Sequence, residues 1–114
     1  ARRRACRAYR RNAVRMMLTA AMPLEPFNTL VRTGKVGTIL QEILAQLKPE
    51  AVYFVEEHGM RCAVLIVEVA DSSRIPFFAE PFFLQFNAEC RFRIAMTPAD
   101  LGKADLDALG KQWA

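Results

Sequence analysis

The strongest constraint on the fold is a pair of apolar runs separated by three residues. Ala51–Glu57 and Arg61–Val69 are rich in β-branched and aromatic residues, and His58, Gly59 and Met60 join them. Two such runs around a short Gly-containing connection specify a β-hairpin. The second run is apolar at both parities, with Cys62, Val64 and Ile66 on one side and Ala63, Leu65 and Val67 on the other. Alternate side chains of a strand point to opposite faces, so this strand requires cover on both of them.

The rest of the composition narrows the class. The chain has 114 residues, of which 53% are hydrophobic and 25% charged. That is the balance of one globular domain, with no room for a second core. The longest apolar run, Cys62–Val67, is far short of the roughly 18 residues of a membrane span. A disordered chain, a collagen-like repeat and a disulfide scaffold are excluded on the same grounds. The net charge of +4 comes from one place: residues 1–12 hold six arginines and no acid. Without them, ten basic residues face twelve acidic ones, a balance of −2. Residues 1–12 are therefore expected to be a basic disordered or non-native tail, and residues 13–114 a single domain. Nucleic acid is a partner only through that tail, by phosphate contacts.

Cys6, Cys62 and Cys90 are odd in number and have no paired spacing, which points to free thiols in a reducing, cytoplasmic compartment. With one histidine and no CxxC pair, a Cys/His zinc site lacks ligands, and neither metal nor cofactor is expected.

The remaining elements follow from periodicity. Val14–Met22 reads as a first strand that Pro23 stops. Leu30, Val31, Ile39, Leu40, Ile43, Leu44 and Leu47 recur at helical spacing after Pro26. Gly34 and Gly37 weaken the middle, and Thr38-x-x-Gln41 offers a capping box for a restart. One flawed helix and a turn followed by a helix fit equally well. Asp71-Ser72-Ser73 supplies N-cap chemistry for a second helix through Ile75–Phe86, which Pro81 should kink or divide near Ala79–Glu80. Glu89–Met96 alternates as a last strand, and Thr97-Pro98-Ala99-Asp100 opens a C-terminal helical segment. The order βαββαβ implies an α+β, ferredoxin-like fold: a four-stranded antiparallel sheet of order 4-1-3-2, both main helices on one face, plus a terminal helix.

Ala79-Glu80-Pro81-Phe82-Phe83 before Asn87, followed by Met96-Thr97-Pro98-Ala99-Asp100-Leu101, resembles a family of small bacterial proteins of unknown function in the dimeric α+β barrel superfamily. The resemblance covers about residues 14–106. It implies a homodimer in which two sheets face each other. The superfamily also contains cofactor-independent monooxygenases, muconolactone isomerases and haem-binding proteins, but none of their catalytic motifs matches this chain residue by residue. The haem-binding members use a proximal histidine, whereas His58 falls on a hairpin turn.

Site candidates come from strand parity. On the last strand Cys90, Phe92, Ile94 and Met96 share the dry side that should meet the helices; Glu89, Arg91 and Arg93 share the other. Arg15 and Thr19, with Glu68, should join the second group. Either Arg91, Arg93 and Arg15 bind a small anionic ligand, or they pair with Glu68 and Glu89 to fix dimer geometry. His58, Tyr53 and Glu68 are the acid/base candidates. The expected role is a homodimeric ligand-binding or scaffold domain; the alternative is a cofactor-independent monooxygenase or isomerase acting on a small enolisable anion. The phenylalanines of the second helix are expected to pack in the core, with Phe82 or Phe83 at a cavity or at the dimer seam as the alternative. Cys62 and Cys90, two strands apart, are too distant for a disulfide.

Overall fold

A computed structural model describes residues 13–114; the arginine-rich tail and Cys6 lie outside the described residues. The elements are β1 (Val14–Met22), α1 (Leu24–Arg32), α2 (Val36–Leu47), β2 (Ala51–Glu57), β3 (Met60–Val69), α3 (Ile75–Phe86), β4 (Glu89–Ile94), α4 (Pro98–Lys103) and α5 (Leu106–Gln112). A short 3₁₀ turn, Ser72–Arg74, precedes α3. The class is α+β with one four-stranded antiparallel sheet. Its order is β2-β3-β1-β4, which from the β4 edge reads 4-1-3-2.

The first helical region is two helices rather than one. Gly34, with φ of +72°, turns the chain between α1 and α2 in a conformation that costs glycine little. The cap position falls three residues ahead of the expected box: Lys35 precedes α2 and supplies no side-chain cap, so the Thr38–Gln41 box is not used. Burial of Ile43 and Leu47 holds this helix instead. Pro81 likewise does not divide α3, which runs unbroken from Ile75 to Phe86. A proline inside a helix costs about 3 kcal/mol. Phe78, Ala79, Phe82 and Phe86 all bury on the sheet along that helix, and each aromatic removed from water offsets about 1.5–3 kcal/mol.

At the C-terminus, Thr97 accepts a hydrogen bond from the Asp100 N–H while the Asp100 carboxylate accepts from the Thr97 N–H, a closed capping box. The segment then breaks at Asp105, at φ of +53°, whose carboxylate caps α5 through the Ala108 N–H.

The core lies between one sheet face and α1–α3. Leu18, Ala20 and Met22 of β1 align with Leu65, Ala63 and Arg61 of β3. These strands, Phe27, Ile43 and Leu47, and the α3 phenylalanines form one buried cluster. Cys90 and Phe92 extend the same face onto β4, packed against that cluster. Ile94 and Met96, assigned to the dry side by parity, are 70% and 66% exposed. The strand ends at Ile94, so these two project past the helices that would cover them. Phe82 is fully buried and lies in the core, not at a cavity mouth or seam; Phe83 is part-exposed at 39%.

Candidate functional site

The other sheet face carries the residues singled out by parity, and the register fixes their neighbours. One row reads Tyr53, Val64, Thr19 and Arg91; the next reads Ala51, Ile66, Met17 and Arg93. Towards the hairpin, Val55, Cys62, Ala21 and Glu89 form a third row, and at the opposite end Arg15 lies across from Glu68. The face is thus apolar in the middle with arginines along the β4 edge.

Its charges are only partly committed. Arg91 pairs with Glu89 at 3.0 Å, both exposed. Arg15 donates to Glu50 at 3.1 Å and lies 3.8 Å from Asp100; the Glu50 hydrogen bond and charge raise its pKa above the ordinary arginine value. Asp100 sits below the usual carboxylate range, chiefly because the Thr97 N–H donates to it. Arg93 makes no ion pair among the described residues.

The three acid/base candidates do not converge. His58 occupies the hairpin turn at φ of +51° and borders a cavity of only about 60 Å³ with Thr19, Glu57, Glu89 and Arg91. Glu68 lies at the far end of β3, about 26 Å from the hairpin at the rise of an extended strand. Tyr53 stands between them on the edge strand, 62% exposed.

A larger site lies on the helix side. A cavity of about 620 Å³ opens where α1 and α2 meet the hairpin end of the sheet, walled by Met22, Phe27, Leu40 and Phe54 with Glu56 and Arg61. Arg61 lies across from Met22 on β1, which turns it towards the helices. Its guanidinium donates to the Asn28 side-chain oxygen at 2.8 Å and stacks 4.3 Å above the Phe27 ring. Stacking and one hydrogen bond hold the fork in place and leave further N–H groups to donate. No carboxylate lies within ion-pair distance of it among the described residues. Glu56, its cross-strand neighbour, instead accepts from the Gly59 N–H and closes the hairpin turn. Glu25 feels the Arg61 charge, but its carboxylate is engaged by Thr29 and Arg32, and the Thr29 hydroxyl is the main reason it sits below the ordinary range.

Parity groups Arg61 with Ala63, Leu65 and Val67, but both parities of this strand are apolar, and only the pairing with β1 and the buried cluster show that this face meets the helices. What sequence does not reveal is that Phe27 and Asn28, more than thirty residues earlier, meet it there.

Cys62 and Cys90 are free thiols, and the register places them on opposite faces of the sheet. Burial pushes the Cys90 thiol up to about 11, with the nearby Cys62 and Glu80 adding to the effect. Since the thiolate is the reactive form, this rise predicts alkylation about tenfold slower than at an ordinary thiol, the loss of thiolate being partly offset by its greater nucleophilicity. Iodoacetamide labelling at pH 8, followed by peptide mass spectrometry, checks this; labelling of Cys90 at the rate of a free thiol contradicts it. Among the described residues no three His, Cys, Asp or Glu side chains gather as metal ligands, and no helix is long and apolar enough to cross a membrane. Compared with known proteins, the chain matches no family model, no curated relative and no solved structure.

Proposed function

We propose that this chain is a ligand-binding domain for a small anion with an apolar body, held between helices and sheet, and that it works as a ferredoxin-like homodimer of the dimeric α+β barrel kind. The observation that carries the ligand reading is Arg61, stacked on Phe27 and hydrogen-bonded to Asn28 at the wall of an apolar cavity of about 620 Å³. That volume is within the range of small-molecule sites. A guanidinium with free donors beside apolar walls suits a carboxylate on an aromatic or aliphatic body. Binding is favoured over oxygenase or isomerase turnover by position: His58, Tyr53 and Glu68 do not line this cavity, and Glu56 within it is engaged by the hairpin turn.

The support for the dimer is the second sheet face. Its central rows hold Met17, Val64 and Ile66 between Tyr53 and the β4 arginines, and no helix of the core covers them. The free thiols agree with a reducing, cytoplasmic setting.

The test is a comparison of 2-naphthoate with the uncharged 2-naphthalenemethanol by titration calorimetry. The naphthoate is expected to bind at least about tenfold more tightly, a difference of about 1.4 kcal/mol. Arg61→Leu should abolish the preference while sparing the alcohol. Equal binding of the two compounds by the unmodified chain overturns the anion site.

A further inference from the structure

The C-terminal arm is the part of the chain that the fold leaves without support. Every residue from 101 to 114 is exposed, yet the segment is apolar on one side. Leu106, Leu109 and Trp113 recur at helical spacing along α5 and its end, and are 57%, 41% and 77% exposed; Leu101 on α4 is 43% exposed. An isolated helix shorter than about 12 residues is marginal in water. The seven residues of α5 have the Asp105 cap, worth about 1 kcal/mol, and none of them is buried.

The root of this arm fixes where it projects. Arg15 belongs to the uncovered sheet face, opposite Glu68, and its guanidinium reaches Asp100 at the start of α4. The arm therefore leaves from the rim of that face, on the side a second copy would occupy.

Area supplies the last argument. The strands run from six to ten residues, on average about 26 Å, and four strands spaced about 4.8 Å apart span about 19 Å. The flat contact is thus on the order of 500 Å², below the roughly 800 Å² per partner of a lasting interface. A buried tryptophan alone removes about 200 Å² from water, and two leucines add to it.

We infer that the arm is exchanged: in a homodimer stacked through the uncovered sheet faces, α5 of each copy packs its Leu106, Leu109 and Trp113 stripe on the other. The inference rests on the dimer reading, and two-fold symmetry makes the exchange reciprocal without further contacts having to be invented.

Trp113 is the chain's single tryptophan, so its fluorescence reports on the arm directly. The intact chain is examined by sedimentation and by iodide quenching over a concentration series, beside Leu109→Asp. The expected result is a micromolar dimer with blue-shifted, iodide-shielded emission, both features being lost together on dilution. Leu109→Asp, at an exposed site on α5, should weaken the dimer at least tenfold with unchanged circular dichroism. A dimer whose Trp113 is fully quenched by iodide, and whose affinity Leu109→Asp leaves unchanged, overturns the exchange and leaves the sheet contact standing. A folded monomer at every concentration overturns both, whether Trp113 is quenched or shielded.

Discussion

Phe82→Ala is expected to cost about 3–5 kcal/mol, the range for deleting a buried aromatic ring from a packed core. Phe82 has no exposed surface and sits one helical turn after Phe78 and one before Phe86, so its ring fills the middle of the helix–sheet layer. Domains of this size are stable by about 5–15 kcal/mol, so the loss is a large share of the total. At about 4–8 °C per kcal/mol, the melting temperature should fall by more than about 12 °C. Leu84→Ala on the same helix is the control: Leu84 is 76% exposed, and a surface change of that kind moves stability by at most about 0.5 kcal/mol. Urea unfolding of both variants measures the contrast. Similar midpoints would mean that α3 does not pack as described.

Strands were more legible than helices here, for a physical reason. The limits of β1 and β2 coincide with their apolar runs, and β3 begins one residue early at Met60, because a strand is specified by local alternation and by the turn that closes it. The helices depend on what they bury. Thr38-x-x-Gln41 has the pattern of a cap, but α2 is already under way there, held by Ile43 and Leu47 against the sheet. Pro81 has the pattern of a breaker, but the three buried phenylalanines around it outweigh one lost hydrogen bond. Thr97 and Asp100 behave as their pattern says, since the capping box needs nothing outside its own four residues.

The same distinction explains the candidate site. Parity sorted the β4 edge correctly: Glu89, Arg91 and Arg93 share the face of Arg15, Thr19 and Glu68. It could not say that Arg15 would be held by Glu50 and Asp100, because both partners lie outside the strands. Arg61 is the converse case. Its parity with Ala63, Leu65 and Val67 was available from the sequence, but which parity meets the helices was not, and its neighbours Phe27 and Asn28 come from α1, whose packing against the hairpin end is a tertiary fact.

Val64→Asp provides the largest expected effect on assembly. Val64 lies in the centre of the uncovered face, between Tyr53 and Thr19. In a face-to-face dimer, symmetry brings two such carboxylates towards the same interface. A buried charge with no partner costs about 3–5 kcal/mol, and the two like charges also repel. The dimer dissociation constant should rise by more than about a thousandfold, since each 1.4 kcal/mol is a factor of ten. Within one chain the substitution is far milder: the side chain is half-buried and opens towards solvent, while Ala63 and Leu65 on the other parity keep the core. The expected product is a folded monomer, recognised in sedimentation by its mass and in circular dichroism by an unchanged spectrum. Tyr53→Asp at the edge of the same row should act in the same direction and more weakly, because a rim charge keeps its water. A dimer that survives Val64→Asp with its affinity intact would place the contact elsewhere on the molecule and remove the sheet face from it.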